Sequence, residues 1–379
     1  MKYCKKCIYS DTRPEQVFDE KGICDACLSA EKKNFEIDWE KRRKELVEIL
    51  EQYRCKDGSW WDCIIPCSGG KNSCFQAYIM KYEFGMNPLL ANFIPCEMTE
   101  VGNKNLTFIR DLGFDIIQVG VNRKIYRQLS AKGFFDLGDC CWPEHIGIFT
   151  APVRVAVQYN IPLIIWGENS QFEYGGPASW RRKKYLNRNW LEQFQMLGYR
   201  ISDLIDEGFN RKDLLSLEYP TEEKLKKVGV IGLFLGYYIF WDNKAQAERM
   251  IDMGFHVNPD GPCEGGYWNF ENLDCKWIGG LHDYMKFLKY GYGRATDQLC
   301  NEIRLGRMDR DKALRLAKKL EGTPPKKFLQ DYLQFIRCTE KEYEDNLDRF
   351  TNKKIFVTDK NGSLVRDENG DVIKVDYGY

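Results

Sequence analysis

Two cysteine pairs open the chain. Cys4-x2-Cys7 and Cys24-x2-Cys27 are separated by 16 residues. Four thiolates at this spacing close tetrahedrally on zinc, each short pair forming one tight knuckle. An iron–sulfur cluster and free thiols are the alternatives for the set. With no fifth ligand position evident, the site is read as closed and structural. Its role would be to order an N-terminus with too few apolar residues to fold alone. The other eleven of the 15 cysteines lack this spacing. Cys140-Cys141 is adjacent, a poor chelate, and is read as core or pocket thiols.

A glycine loop is the second constellation. Pro66-Cys67-Ser68-Gly69-Gly70-Lys71-Asn72-Ser73 follows an apolar run and precedes a helical one. Glycines let backbone approach an anion without a Cβ in the way. Successive N–H groups, a helix N-terminus, the Ser68 and Ser73 hydroxyls and the Lys71 charge then make a phosphate cradle. An ordinary strand-to-helix turn is the plain alternative. The Walker spacing from glycine to Lys-Ser is absent.

Three further stretches carry polar groups among glycines and aromatics. Gly167-Glu168-Asn169 through Glu173-Tyr174-Gly175-Gly176 follows an apolar strand, so its loop would stand at the ligand-binding end of a parallel sheet. Glu168 and Glu173 could hold magnesium or orient an amine. Residues 261–280, with Glu264-Gly265-Gly266-Tyr267-Trp268-Asn269, and Tyr290-Gly291-Tyr292-Gly293-Arg294-Ala295-Thr296-Asp297 suit a sugar and its phosphate or carboxylate. Tight packing under loops is the alternative for both. Arg181-Arg182-Lys183-Lys184 is a solvated face or a contact for a nucleotide diphosphate. His145, His256 and His282 are scattered, make no zinc triad, and are each read as structural; the neighbours of His282 suggest a pocket.

These groups must be positioned by α/β units. Trp61–Pro66, Pro88–Ile94, Phe114–Val119 and Pro162–Trp166 read as strands, alternating with helices at about Ser73–Tyr82, Glu100–Leu112 and Pro152–Tyr159. That alternation predicts a parallel sheet covered on both faces. The expected division is 1–30 knuckle, 31–58 linker helix, 59–250 nucleotide domain with a helical insertion at about 178–227, 251–350 glycine/aromatic loops and helices, and 351–379 a β-hairpin tail. Asn361-Gly362 and Asn369-Gly370 supply its turns. Val228 to Trp241, 14 apolar residues with three glycines, is too short to cross a membrane and reads as a buried strand. The 379 residues balance 56 Lys+Arg against 56 Asp+Glu, which removes the broad basic field of a nucleic-acid binder. The absence of an apolar leader points to a cytoplasmic, reducing location, with no membrane or nucleic-acid partner.

The loop resembles the Ser-Gly-Gly-x-Asp-Ser motif of the PP-loop ATP pyrophosphatases, with Asn72 in place of the aspartate. The fold class implied is α/β, a parallel-sheet PP-loop (adenine nucleotide alpha hydrolase-like) domain with an N-terminal zinc knuckle and a helical C-terminal part. Losing that carboxylate weakens any hold on magnesium. The ordered set of motifs, over roughly residues 1–320, looks like the N-acetyl sugar amidotransferase family of surface-polysaccharide and nonulosonic-acid pathways. The resemblance implies a ligase-type reaction of lipopolysaccharide or O-antigen synthesis. ATP adenylates the acetamido oxygen of an N-acetyl sugar or UDP-sugar, ammonia displaces AMP, and an acetamidino group remains.

Its implied cofactors are ATP, magnesium and structural zinc. Lys71, Asn72, Glu168, Asn169 and Glu173 are the expected catalytic set. Ser68, Gly69, Gly70 and Ser73, with Asn92 and Phe93 near adenine, would bind the nucleotide. Tyr174, Gly175, Trp268, Arg294 and Asp297 would meet the substrate. An N-terminal-nucleophile glutaminase would carry cysteine where Lys2 stands, and no nucleophile-elbow cysteine is expected. Ammonia is therefore expected from a separate glutaminase pair resembling the imidazole-glycerol-phosphate synthase subunits. A tRNA thiolase, which shares knuckle and loop, and a non-catalytic nucleotide-binding scaffold are the other readings.

Overall fold

The structure, a computed structural model, describes residues 1–176, 185–186, 199 and 201–378. The expected insertion at 178–227 falls partly outside these residues, as does the whole Arg181–Lys184 run. Its described remainder is helical at Ile201–Asp206, Arg211–Leu214 and Glu222–Val228.

Six strands form one sheet: β1 (Cys63–Pro66), β2 (Pro88–Phe93), β3 (Asp115–Val119), β4 (Leu163–Trp166), β5 (Tyr185–Leu186) and β6 (Ile231–Phe234). Their order is β3-β2-β1-β4-β6-β5. The first five run parallel, and β5 adds an antiparallel edge. Side chains alternate between faces, as the pleat requires. Cys63 and Ile65 of β1 join Leu90, Leu163 and Ile165 against the helices Trp39–Tyr53, Lys71–Tyr82 and Asn243–Asp252. Ile64, Leu89, Ala91 and Ile164 face Val153, Val155 and Ala156 on the helix Trp142–Gln158. The expected parallel α/β sheet is therefore present, with both faces covered.

Two boundaries differ instructively from the sequence reading. The helix Trp142–Gln158 begins ten residues before the expected Pro152. Pro143 falls in its first turn, where a missing N–H costs nothing, and Pro152 lies inside it. The expected linker helix is two helices, Asp25–Phe35 and Trp39–Tyr53. The second starts afresh where the Asp38 side chain accepts from Lys41 N.

The chain order reverses between β1 and β4, so their carboxyl ends splay apart and leave a crevice. One distant segment roofs it. Residues 273–276 are stitched to 97–99: Met98 and Cys275 form an antiparallel bridge, Thr99 N donates to Asp274 O (3.1 Å), and Lys276 N donates to Glu97 O (3.1 Å). Gly102 permits this approach, because a Cβ there would lie 2.8 Å from Asp274 Cα and 3.1 Å from Leu273 O. Beyond it, helices Asp283–Tyr290, Arg294–Arg304, Arg310–Leu320, Leu329–Ile336 and Glu340–Phe350 make the C-terminal part. The tail closes as paired bridges Phe356–Lys374, Thr358–Leu364 and Arg366–Val372.

Backbone cannot retreat as a side chain can, so Gly102→Ala is expected to cost about 1–3 kcal/mol in chemical denaturation. Gly120→Ala, whose new methyl would meet only Ile94 Cδ1 at 3.6 Å, should stay within about 0.5 kcal/mol of the parent. Equal midpoints for the two variants would refute the stitched-roof account.

Candidate functional site

The crevice holds a cavity of about 420 Å³, in the range of small-ligand sites. Its floor is the loop after β1 and the start of the helix Lys71–Tyr82. Gly70 is the helix N-cap and no side chain caps the helix, so its first N–H groups lack intrahelical partners. Gly69 takes φ +84°, a left-handed turn that reverses the chain at this point. Ser68 Oγ accepts from Gly70 N (3.2 Å), and Ser73 Oγ donates to Gly70 O (2.9 Å). Together these groups form a concave cradle of donors beside Lys71, which fits the phosphates of a nucleoside triphosphate.

Lys71 is largely buried and reaches across the cavity. Its Nζ lies 2.8 Å from Glu271 Oε1, and Gln298 Nε2 donates to the other oxygen at 2.7 Å. Burial alone would raise the Glu271 carboxyl, but Lys71 and Arg294 outweigh it and hold it below the ordinary range. Asn72 Nδ2 donates to Glu168 Oε2 at 3.4 Å, while Asn72 Oδ1 is buried without a partner. Burial raises Glu168 and, across the cavity, Asp274. These carboxylates and the unsatisfied amide oxygen are oxygen donors of the type magnesium takes.

The cavity gathers Ser68, Gly70, Lys71, Asn72, Ser73, Phe93, Glu168, Tyr174 and Arg294 from the expected set. Arg294 makes a two-pronged pair with Asp283, Nε to Oδ2 and Nη2 to Oδ1, both 3.1 Å. Other expected residues lie elsewhere. Gly69 packs on Leu106, and Asn92 is fully buried, donating to Cys67 O (2.8 Å) and accepting from Gln118. The Asn169 side chain accepts from Gln171 N and Phe172 N as a helix cap. Glu173 turns away to a buried pair with Lys33 (2.7 Å), in a separate small pocket that Trp268 also lines. Gly175 abuts Asp25. Asp297 is buried between Tyr9 Oη (2.6 Å), Arg13 and Lys286; against the opposing effect of burial, the charges of Lys286, Arg13 and Arg294 hold its carboxyl down to about 2.

Sequence reasoning missed Glu271, Asp274, Glu144 and Asn272, all on the cavity wall. The first, second and last fall within the glycine/aromatic stretch 261–280, but nothing in their spacing distinguished them from ordinary polar loop residues. Glu144 sits in the helical turn that Pro143 concealed. The expectation of no elbow cysteine also needs correction: Gly261-Pro262-Cys263-Glu264-Gly265 has the Gly-x-Cys-x-Gly spacing. Its backbone is an irregular loop without the strand–turn–helix of an elbow, and burial pushes the thiol up to about 12. Cys263 is therefore no activated nucleophile.

The four N-terminal cysteines converge. All are buried, their sulfurs lie within 4.8 Å of one another, and Cys4 Sγ accepts from the backbone N–H of Lys6, Cys7 and Cys24 at 3.2–3.4 Å. Such N–H···S bonds offset thiolate charge, and the donor set fits a closed zinc site. The knuckle packs on Ala295, Leu299 and Cys300, with Arg310 Nε donating to Cys4 O and Cys7 O. Among the described residues no helix is long and apolar enough to cross a membrane.

Comparison with known proteins bears on the roof of the cavity. An uncharacterized protein of Methanocaldococcus jannaschii is 36% identical over 87 residues, so that the chain spans 30% of that protein's length and 23% of its own. NMN synthetase from Francisella tularensis superposes with a TM-score of 0.27 at 16% identity, covering 51% of this chain and 94% of that one. Residues 264–367, which supply Glu271, Asp274 and Arg294, match the LPS biosynthesis protein WbpG-like family over its C-terminal domain. That match covers the C-terminal part of the chain alone, and over it the chain is similar to a lipopolysaccharide-biosynthesis family.

Proposed function

We propose that this chain is an ATP-dependent amidotransferase that converts the N-acetyl group of a sugar or nucleotide-sugar to an acetamidino group in surface-polysaccharide synthesis. One observation carries the reading. A single cavity is floored by the phosphate-type loop and roofed by residues of the lipopolysaccharide-biosynthesis domain. A nucleotide and a sugar would therefore meet in one enclosed space.

The chemistry asks for such an arrangement. An amide carbonyl is a poor electrophile, and its oxygen leaves poorly until it is adenylated. Lys71, the Ser68 and Ser73 hydroxyls and the uncapped helix start would hold the departing pyrophosphate. Glu168, Asp274 and the Asn72 amide oxygen would hold magnesium, which supplies charge neutralisation on the phosphates. Arg294, already oriented by Asp283, would fix a sugar carboxylate or phosphate. The aromatic walls Phe93, Phe149, Trp166 and Phe270 exclude water, which would otherwise hydrolyse the activated amide. Ammonia would come from a separate glutaminase pair. Glu173 and Asn169 have structural duties in this account, and Glu168 is left as the carboxylate of its loop that faces the reactants.

The test is AMP and pyrophosphate release from ATP with ammonium and a panel of N-acetylated UDP-sugars and nonulosonic acids. Release should depend on one sugar, whose product is lighter by the difference between O and NH. Lys71→Gln should lower the rate about 10²–10³-fold. Release stimulated by tRNA and indifferent to every sugar would replace this reading with the thiolase.

Asn72→Asp provides a second test. It swaps a hydrogen-bond donor to Glu168 for a like charge, so without magnesium it should destabilise the chain by about 1 kcal/mol. Magnesium should restore the midpoint and lower the concentration needed for activity. Identical magnesium responses of parent and variant would remove Asn72 and Glu168 from the metal site.

A further inference from the structure

His145 and His282 are 137 positions apart in sequence, yet their rings meet at 5.0 Å in an edge-to-face arrangement beside Asp139. Asp139 Oδ2 lies 3.0 Å from His145 Nδ1, and its other oxygen lies 3.9 Å from His282 Nε2. One donor atom from each of the three residues falls within 4.8 Å of the others. All three side chains keep part of their surface in solvent, at 11–22%. From these contacts we infer that Asp139, His145 and His282 form a second metal site, distinct from the cysteine knuckle and open at one position. Its ligand would be a divalent transition cation of the zinc class.

The donor set argues for that class. Two imidazoles and one carboxylate suit zinc and its first-row neighbours, whereas magnesium and calcium favour all-oxygen shells. The separations are near those of ligands that share a small cation: donors about 2.0–2.1 Å from zinc stand 3–4 Å apart at tetrahedral angles.

Each ligand is also fixed from behind. Asp139 follows the left-handed Gly138 and accepts from Cys141 N at 2.9 Å, tying it to the start of the helix that carries His145. Lys289, a cation that Asp139 acts on, is occupied with the Leu137 and Gly138 carbonyls. On the far side, His282 Nδ1 is buried with no hydrogen-bond partner and faces Asp283 Oδ1 at 3.6 Å. Metal on Nε2 fixes the proton on Nδ1, and a small ring movement then closes the carboxylate–histidine–metal relay common to such sites.

The relay leads to the cavity. Asp283 also receives both prongs of Arg294 and Asn272 Nδ2 (2.8 Å), and Arg294 and Asn272 are cavity wall. A cation on His282 would thus tighten the carboxylate that aims Arg294. The site itself rests only on the residues named and does not depend on the sugar reading.

The experiment uses the full chain with its knuckle already loaded with zinc. Cobalt(II) is titrated and followed by visible absorption. We expect one further equivalent, with d–d bands but no thiolate-to-cobalt charge transfer, and a rise in thermal midpoint that grows with cobalt concentration. His282→Gln and Asp139→Asn should each lose that equivalent while keeping the zinc. Absence of any cobalt band at millimolar metal in the parent chain would overturn the inference. So would uptake that carries a thiolate band, which would assign the metal to the knuckle or to the buried Cys141–Glu144–Cys275 group. Intense tetrahedral bands in the parent chain support the histidine site, whereas only the weak bands of six-coordinate cobalt, which Glu168 and Asp274 would give, overturn it, so the parent titration decides even if a variant fails to fold.

Discussion

The ion pair of Lys71 with Glu271 is the constraint on which the site depends. Its partners are 200 residues apart, and both are largely withdrawn from water. Taking two such charges out of solvent costs several kcal/mol for each ion, and the attraction offsets this only when the geometry is right. Gln298 satisfies the second carboxylate oxygen. The phosphate-type loop and the C-terminal part are therefore correct together or wrong together. A chain that placed one without the other would leave a buried charge alone, at a cost of about 3–5 kcal/mol. The pair contributes little net stability. What it contributes is registration of the floor of the cavity against its roof.

That registration has two further anchors. At one end, the 273–276 segment is sewn to 97–99 through backbone, over a helix turn kept bare by Gly102. At the other, the cysteine knuckle sits between sheet and helices. Asp25, at the start of the helix carrying Cys27, accepts from Gly176 N after β4, and Arg304 touches both Cys7 Sγ (3.7 Å) and the Glu173 carbonyl (3.0 Å). The knuckle was expected to order a weak N-terminus. In the structure it braces the loop that presents Glu168, so a zinc held there would act on the cavity through the Asp25 and Arg304 contacts.

How much of this was legible in sequence follows from the range of each interaction. Features set by local chemistry were legible: the glycine loop, the strand–helix alternation and the paired cysteines all have spacings dictated by one turn or one ligand set. Features set by tertiary pairing were not. Glu173 and Glu168 are equivalent in sequence, carboxylates five residues apart around a short helix. Only Lys33, from a helix 140 residues earlier, draws Glu173 away from the cavity. Asp297 likewise resembled a substrate contact until Tyr9, Arg13 and Lys286 claimed it. The histidines show the converse, because no spacing could have revealed that His145 and His282 share Asp139.

Asn72 illustrates how a local departure from a motif gains meaning from its neighbours. Alone, an amide in place of a carboxylate reads as lost metal affinity. In its setting the amide nitrogen donates to Glu168, whose carboxyl burial raises, and the amide oxygen has no hydrogen-bond partner. An aspartate at 72 would repel Glu168 whenever no metal stood between them. Under the proposed function, the asparagine would hold the loop through Glu168 before a cation arrives and leave Glu168 and Asp274 to carry the negative charge. The amide would then trade strength of metal binding for a site that keeps its shape without the metal.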